Sequence, residues 1–303
     1  FMSLVRVDSI SKEEGELAQL LAARLVQLGA QVHVDGAGRR VGGNTGNIIA
    51  KIAGNRAVEP MLLSAHMDTV EPGRGVKVVF VDDVFSSEGE TILGADDKSA
   101  LAVILEVLQC IRERNLAHGP LEIVFSICEE IGLLGAKHLD YSHISARLGF
   151  VLDSRNTGAL ITRTPSANKL LFRIYGKSAH AGSMPEKGIN AISLASKAIA
   201  QLQLGRIDHE TTCNIGLIQG GLATNIVPEQ VVVKGEVRSH DEAKLQQVTD
   251  TIVNAFEQVI ASYQNAEIPE HPRLETDVQR DFDLMMIDDN HPVVQLAMQA
   301  AHD

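Results

Sequence analysis

The strongest constraint on the fold is a series of short apolar runs, each long enough for one buried β-strand. The first half of the chain holds four of them, and apolar residues at helical spacing over residues 97–114 separate the second run from the third. Buried strands that alternate with helices are typical of a layered α/β domain with a largely parallel sheet. We therefore predict such a domain, with strands at residues 46–52, 60–66, 120–127 and 148–153.

A helix is predicted near the start of the chain. Apolar residues recur at helical spacing from Leu17 to Leu28, and Gly29 ends the pattern. Ser11 followed by Glu14 matches a capping box, in which two side chains pair with free N–H groups at a helix start. We therefore expect these two residues to cap the helix.

The pattern of predicted elements changes near residue 166. The order becomes strand, helix, strand, strand, helix, strand, and valines alternate with charged residues over residues 229–239. This is the order of a ferredoxin-like βαββαβ unit, and the alternation predicts one buried and one solvated sheet face. Since 303 residues exceed one ordinary core, we predict two domains. Residues 1–165 begin the first domain, residues 166–283 form the second, and residues 284–303 return to the first.

The charge balance argues against a nucleic-acid partner. Lys and Arg number 27 against 39 Asp and Glu, which gives a net charge of −12 at pH 7 and repels a phosphate backbone. No apolar stretch approaches the roughly 18 residues of a membrane span, and the first residues lack the apolar centre of a signal peptide. We expect neither nucleic acid nor a membrane as partner.

The cysteines indicate a reducing compartment. Cys110, Cys128 and Cys213 are odd in number, far apart and without CxxC spacing. This pattern predicts neither a disulfide framework nor a cysteine metal site, and a cytoplasmic location is the simplest expectation. Cys128 lies beside two glutamates but in an apolar run, so we expect a core residue and not a nucleophile.

A histidine with metal-ligand chemistry closes the second apolar run. His66 ends the run MLLSA, and Asp68 projects to the same side because strand side chains alternate. A ligating imidazole usually needs its second nitrogen held by a carboxylate or carbonyl, which Asp68 could supply. Taken alone, an HxD sequence at a strand end is short and often occurs by chance.

Carboxylates follow the other elements at the same expected sheet edge. Asp96 precedes the predicted helix, where open α/β sheets place their ligands, and Asp153 ends the last run. Glu129 and Glu130 directly follow a buried strand, and adjacent carboxylates there persist most easily beside a cation. The alternative is an ordinary acidic helix start. With His66, this set suits zinc, cobalt or manganese.

Four segments, in their order and spacing, resemble the dinuclear zinc exopeptidases, a family that includes peptidase T, carboxypeptidase G and aminoacylase. The resemblance covers nearly the whole chain and is closest to the peptidase T group of tripeptide aminopeptidases. Four ordered motifs are far more specific than any one of them. The segments are SAHMDTVEPGRGVK, ILGADDKSALA, SICEEIGLLGAKHLD and FVLDS.

The resemblance implies a zinc-exopeptidase catalytic domain that holds two Zn²⁺ ions per subunit, with Co²⁺ or Mn²⁺ as possible substitutes. On the matching positions, His66 and Asp153 would hold one ion, Asp96 would bridge both, and Glu130 would hold the second. The family also has a cis peptide bond after the bridging residue, here between Asp96 and Asp97.

The resemblance further implies the catalytic and substrate-binding residues. Glu129 would be the general base, and Asp68 would orient the histidine ligand. The segment GKSAHAGSMPEKGINAI resembles the family's inserted lid, whose histidine, here His180, reaches the partner subunit's active site and stabilises the oxyanion. Asn225 and Arg238 would contact the substrate, and the lid domain would form a homodimer. From the residues alone, His180 would be a surface-loop histidine and Arg238 part of a solvated strand face.

One ligand implied by the resemblance has no match. The family's second zinc uses a late histidine in the returning part of the catalytic domain, and this sequence ends at Asp303 before that segment. His291 and His302 precede the segment, and we assign neither. Because the sequence opens Phe1-Met2, we expect it to be a segment of a longer protein.

The expected function is metal-dependent removal of the N-terminal residue from short peptides, above all tripeptides. Asp153 resembles the aminopeptidase members, since carboxypeptidase and deacylase relatives tend to carry Glu there, although the following SRNTG departs from their usual glycine-rich continuation. One alternative is a carboxypeptidase or N-acyl-amino-acid amidohydrolase of the same fold. Another is a non-catalytic peptide-binding scaffold, against which the intact Glu129 argues.

Overall fold

The structure, a computed structural model, describes residues 1–302 in two compact units. The units are Phe1–Ala159 and Leu160–Asp303, so the division lies close to the predicted boundary at residue 166. Residues 284–303 are grouped with the second unit, and their assignment to the first domain stays a prediction. No helix within residues 1–302 combines the length and apolar character that crossing a membrane requires.

The first unit is an α/β domain built on a five-stranded sheet in the order β1-β2-β6-β3-β7. Strand β3 runs parallel to both β6 and β7, whereas β2 is antiparallel to both β1 and β6, so the sheet is mixed. The strands of the first unit are β1 (Gln31–Val34), β2 (Ile48–Ile52), β3 (Met61–His66), β4 (Lys77–Val81), β5 (Val84–Glu88), β6 (Leu121–Ser126) and β7 (Leu148–Val151). Of these, β4 and β5 pair only with each other, as a separate two-stranded sheet. The helices of the first unit are α1 (Met2–Val5), α2 (Gly15–Gln27), α3 (Ala37–Val41), α4 (Ala95–Glu113) and α5 (Leu134–Lys137).

The core of this unit lies between the sheet and helices α2 and α4. Leu17, Leu21 and Leu101 are completely buried and pack with Ile123 and Phe125 of the central strand β6. Because β3 and β6 are parallel and in register, their carboxyl ends meet at one sheet edge. The polar residues that follow the two strands are therefore neighbours.

The predicted capping box at the start of α2 is wrong. Glu14 occupies the N-cap position but makes no side-chain cap hydrogen bond, and Asn44 Oδ1 accepts the first helical N–H at 2.9 Å. The Ser11 hydroxyl donates to Asp68 Oδ2 at 2.7 Å, and Glu14 Oε1 accepts the Cys128 N–H at 2.9 Å. Both side chains thus contact the segments that follow β3 and β6.

The second unit, which we call the lid domain, has the predicted ferredoxin-like topology. Neighbouring strands pair antiparallel in the order β10-β11-β12-β9-β13, so the four long strands take the order second, third, first, fourth. Within residues 160–302, the strands are β8 (Arg163–Thr164), β9 (Ser166–Tyr175), β10 (Gly205–Arg206), β11 (Thr211–Gly220), β12 (Gln230–Ser239), β13 (Arg273–Phe282) and β14 (Met285–Met286), and the helices are α6 (Ala191–Ile199), α7 (Glu242–Ala261) and α8 (Pro292–His302).

Helices α6 and α7 cover one face of the lid sheet. Val233 and Val237 of β12 are buried under them, while Lys234 and Arg238 are exposed, as the alternation predicts. Phe172 of β9 stacks on Phe256 of α7 with ring centroids 4.0 Å apart. The lid domain therefore has its own core and one open sheet face.

We predict that Gly135→Ala destabilises the first unit. A Cβ at Gly135 would overlap the Ile127 carbonyl oxygen and lie 2.7 Å from Asn47 Oδ1, so the loop after β6 would have to move. The expected loss is about 2 kcal/mol of unfolding free energy, measured by chemical denaturation. Gly158→Ala is the matched control, because its Cβ would find only Asn156 Oδ1 at 3.6 Å. Equal stability of the two variants would contradict this packing.

Candidate active site

His66 is the last residue of β3 and lies almost completely buried at the sheet edge. Its Nδ1 lies 2.9 Å from the Asp68 carbonyl oxygen and 3.5 Å from Asp68 Oδ1, so Nδ1 carries a proton and Nε2 is the atom available to an ion. Nε2 lies 3.2 Å from Asp96 Oδ1. Burial would lower the pKa of His66, but the carboxylates of Asp68, Asp97 and Glu129 together outweigh burial and raise the pKa to about 10. A metal ion must therefore displace the Nε2 proton.

Asp68 joins the segments that form the site. It is completely buried, and it accepts hydrogen bonds from the Ser11 hydroxyl at 2.7 Å, the Glu129 N–H at 2.8 Å and the Glu130 N–H at 3.1 Å. Burial would raise the pKa of Asp68, but hydrogen bonds from His66, Ser11 and the Glu129 N–H hold it below its usual range. Asp68 is thus a charged carboxylate with all its contacts inside the domain.

At the start of α4, the side chains of the consecutive residues Asp96 and Asp97 have different surroundings. The peptide bond between Asp96 and Asp97 is cis, as the resemblance implies, and both residues have non-helical backbone angles. Asp97 is buried, accepts the His66 N–H at 3.2 Å, and has its pKa raised by burial to about 7. The Asp96 side chain is 56% exposed and reaches His66 Nε2. Asp97 therefore supports the strand, while Asp96 faces the site.

The loop after β6 carries the two glutamates through a sharp turn. Cys128 and Leu133 take left-handed backbone angles, with φ of 53° and 59°, and the Glu129 carbonyl accepts the N–H groups of Gly132 and Leu133. Helix α5 begins only at residue 134, so Glu129 and Glu130 are not an acidic helix start. Burial raises the pKa of the Cys128 thiol to about 12, which fits a core residue and not a nucleophile.

These elements bring one imidazole and four carboxylates together. Ligand atoms of His66, Asp96 and Asp153 lie within 4.8 Å of one another, as do those of His66, Glu129 and Glu130. Partial burial, followed by neighbouring carboxylates, raises the pKa values of Glu129, Glu130 and Asp153. Such repulsion is relieved by a cation, and this donor set suits zinc, cobalt or manganese. The residues present therefore fit a divalent metal site.

Two other groups of possible metal ligands are built differently. In the group of His33, Asp140 and His143, the two histidine rings stack with centroids 4.1 Å apart and planes 21° from parallel. Their in-plane lone pairs therefore do not converge on one point. In the group of Asp208, His209 and Glu210, the Lys244 ammonium lies 3.0 Å from the Asp208 carboxylate and 2.6 Å from the Glu210 carboxylate. Within residues 1–302, these groups are His33 with Asp140 and His143, and Asp208 with His209 and Glu210.

In the lid domain, the structure brings His180 and Asn225 together. The residue after His180 donates its N–H to the Asn225 carbonyl oxygen at 2.9 Å. His180 Nδ1 accepts the N–H groups of Gly182 at 3.1 Å and Ser183 at 3.2 Å. The neutral ring therefore carries its proton on Nε2, which leaves an exposed N–H donor.

Arg238 lies away from this pair within the lid domain. It stands near the end of β12, whereas Asn225 precedes the start of that strand at Gln230. At about 3.3 Å per residue, Gln230 and Arg238 are about 26 Å apart along β12. Arg238 Nη2 donates to Glu236 Oε2 at 3.0 Å, and its Cζ lies 5.6 Å from the centroid of the Phe282 ring. The guanidinium is thus on the open sheet face.

The sequence alone did not reveal the residues that support the loop of residues 127–133, which carries Glu129 and Glu130 and which we call the glutamate loop. Asn47 is completely buried, accepts the Ile127 N–H at 3.0 Å and donates to the Gly135 carbonyl at 2.9 Å. Ser11 and Glu14 were interpreted only as a capping box, because their spacing fits a helix cap and does not indicate contacts with distant residues. Asn47 ends the glycine-rich segment GAGRRVGGNTGN, and nothing in this pattern indicates a contact with residues 127 and 135.

Comparisons with known proteins match this chain to peptidase domains and to solved peptidase structures. A model of the M20 peptidase dimerisation domain matches residues 166–264, and a model of peptidase family M28 matches residues 47–193. The YqjE protein of Bacillus subtilis (strain 168), described as uncharacterized, is 39% identical over 302 residues, which cover 99% of this chain and 80% of that protein.

Two solved structures cover the described fold almost completely. A tripeptidase of Staphylococcus aureus subsp. aureus Mu50 is 35% identical with a TM-score of 0.90, over 99% of this chain and 79% of that one. Aminopeptidase PepT of Bacillus cereus ATCC 10987 is 39% identical with a TM-score of 0.87, over the same shares of 99% and 79%. The chain therefore belongs to the M20 family of peptidases, as a peptidase T-like member with a catalytic domain and a dimerisation domain.

Proposed function

We propose that this protein is a metal-dependent aminopeptidase that removes the N-terminal residue of short peptides, above all tripeptides. The observation that carries the proposal is the cluster of His66 with four carboxylates at the edge where parallel strands end. The similarity to a tripeptidase and to an aminopeptidase, each over 99% of this chain, supports the same activity. We further propose a cytoplasmic location, which the free Cys110, Cys128 and Cys213 support.

We propose two divalent ions in this site, Zn²⁺ with Co²⁺ or Mn²⁺ as substitutes. His66 and Asp153 would hold one ion, Glu130 the other, and Asp96 both. When bound, such a pair supplies a Lewis acid for the scissile carbonyl and lowers the pKa of water. The exposed Asp96 and the buried His66 Nε2, 3.2 Å apart, support a shared ion between them.

Glu129 is the proposed general base. Its carboxylate is partly buried, and burial raises its pKa above the usual range, which favours uptake of a proton by a general base. Glu129 takes a proton from the attacking water and passes it to the leaving amine. Asp68 fixes the Glu129 backbone and the His66 ring through the same carboxylate, so it is a positioning residue.

The lid domain supplies the remaining proposed groups and the homodimer contact. The His180 Nε2–H donor would stabilise the oxyanion in the partner subunit's site, which is a large catalytic contribution. Asn225, held beside His180, would contact the substrate. Arg238 would pair with a peptide carboxylate in place of its present Glu236 contact.

The substrate prediction is tested with Ala-Ala-Ala and N-acetyl-Ala-Ala-Ala, offered side by side to full-length protein loaded with zinc or cobalt. We expect release of alanine from the free peptide only, and loss of the activity on adding a chelator. Identification of the released amino acids is the measurement. Cleavage of the blocked peptide alone would favour the carboxypeptidase or amidohydrolase alternative. Metal-loaded protein that cuts neither peptide would favour the non-catalytic scaffold.

We predict that Glu129→Gln lowers kcat by about 10²–10⁴-fold, because the amide cannot take a proton. Metal content, measured by elemental analysis, should stay at the wild-type value, since Glu129 is not a proposed ligand. Glu257→Gln on the exposed side of α7 is the control for charge loss and should keep wild-type turnover. A Glu129→Gln variant with wild-type kcat would rule out its role as base.

The origin of the oxyanion donor is tested with mixed dimers. His180→Ala alone should lower kcat by about 10²–10³-fold. In a heterodimer of His180→Ala and Glu129→Gln subunits, one active site then has an intact Glu129 and receives His180 from the other subunit. We expect the mixed dimers to recover activity that neither parent has. No recovery, with heterodimers verified by mass spectrometry, would show that His180 does not act across subunits.

A further inference from the structure

Glu14 is a buried carboxylate that contacts Cys128, a residue far away in the sequence. It is completely buried, yet Asn44 and not Glu14 satisfies the first N–H of α2. Glu14 Oε1 accepts the Cys128 N–H at 2.9 Å and contacts the Cys128 Sγ at 3.4 Å. Burial raises the pKa of Glu14 despite backbone hydrogen bonds to its carboxylate. Since burying a carboxylate is unfavourable, the helix start does not account for this residue.

The contact between Glu14 and Cys128 is one of four consecutive backbone hydrogen bonds that hold the glutamate loop. Four consecutive backbone N–H groups each donate to a completely buried side chain, at distances of 2.8–3.1 Å. The donors are Ile127, Cys128, Glu129 and Glu130, and their acceptors are Asn47, Glu14, Asp68 and Asp68.

Glu14 holds the residue in this row whose backbone is strained. Cys128 has a φ of 53°, in the left-handed region that residues with a Cβ seldom adopt. A strained turn persists only where its surroundings fix it. The direction in which Glu129 leaves the turn depends on that peptide, because Glu129 is the next residue.

We propose that Glu14 is a positioning residue for the general base: its carboxylate fixes the Cys128 peptide and thereby the direction of Glu129. The inference rests on the proposed function, because it takes Glu129 as the base. A base must lie within hydrogen-bond reach of the proton that it takes, and a displacement of 1 Å can cost about 10²-fold in rate. A purely structural Glu14 would affect folding but not turnover at each folded, metal-loaded site.

The test compares Glu14→Ala, Glu14→Asp and Glu14→Gln in the full-length protein. Alanine removes the acceptor and aspartate withdraws it by one methylene, whereas glutamine keeps an acceptor oxygen at the same reach. Leu21→Val is the control, because it removes volume from the buried face of the same helix and leaves the Cys128 contact intact. Glu14→Asp keeps the test valid if Glu14→Ala does not fold.

Two readouts separate positioning from stability. Hydrogen–deuterium exchange over residues 127–130, in metal-free protein, reports the loop without any assay of activity. We expect faster exchange there in Glu14→Ala and Glu14→Asp, and wild-type exchange in Glu14→Gln and Leu21→Val. With Ala-Ala-Ala as substrate, we expect kcat per metal-loaded site to fall tenfold or more in Glu14→Ala and Glu14→Asp, with KM within about twofold of the wild-type value. Glu14→Gln should have the wild-type kcat.

Wild-type exchange together with wild-type kcat in both Glu14→Ala and Glu14→Asp would overturn the inference. A Glu14→Gln variant as impaired as Glu14→Ala would also overturn it, because the acceptor oxygen would then not be the group that matters. These results leave the proposed function intact, since the wild-type protein is active in the same assay. A wild-type protein that cleaves no peptide would overturn the proposed function and the inference with it.

Discussion

The buried carboxylate of Asp68 is the interaction on which the site depends. It accepts the Ser11 hydroxyl and two consecutive backbone N–H groups of the glutamate loop, and it lies against His66 Nδ1. Hydrogen bonds to a charged group stabilise by about 1.5–3 kcal/mol each, which offsets the desolvation of a buried carboxylate. One side chain thus fixes the orientation of the imidazole ligand and the backbone of both glutamates.

Buried side chains support a site whose proposed ligands range from the buried His66 to the exposed Asp96. Asp96, which faces the site, is 56% exposed, whereas the side chains beneath it that accept backbone N–H groups are completely buried. Rigid supports of this kind hold reactive groups in place before a substrate arrives. They also hold the backbone of Glu129 and Glu130 through contacts that do not involve the carboxylates of these two residues. The buried acceptors are Asn47, Asp68 and Glu14.

Much of this arrangement follows from the sequence, because its signals are local or topological. The order of the lid strands and helices was predicted from the sequence, and the alternation over residues 229–239 corresponds to β12 (Gln230–Ser239). The convergence of His66, Asp96, Glu130 and Asp153 was expected, because the carboxyl ends of parallel strands share one edge. Their roles came from the resemblance and not from spacing.

The rest could not be predicted, because it depends on direction and register. Apolar runs do not show that β2 runs opposite to the other four strands of the sheet, all of which point the same way. Ser11 and Glu14 fit a helix cap as well as a contact far along the chain.

Anomalous diffraction at the zinc edge, from crystals grown with Zn²⁺, tests the central claim most directly. We expect two peaks at the edge formed by β3 and β6, one bonded to His66 and Asp153, the other to Glu130, with Asp96 bonded to both. Glu129 should lie beside the ions without bonding to either. A single peak, or zinc bound only at His33 and His143, would contradict the account of a two-metal peptidase.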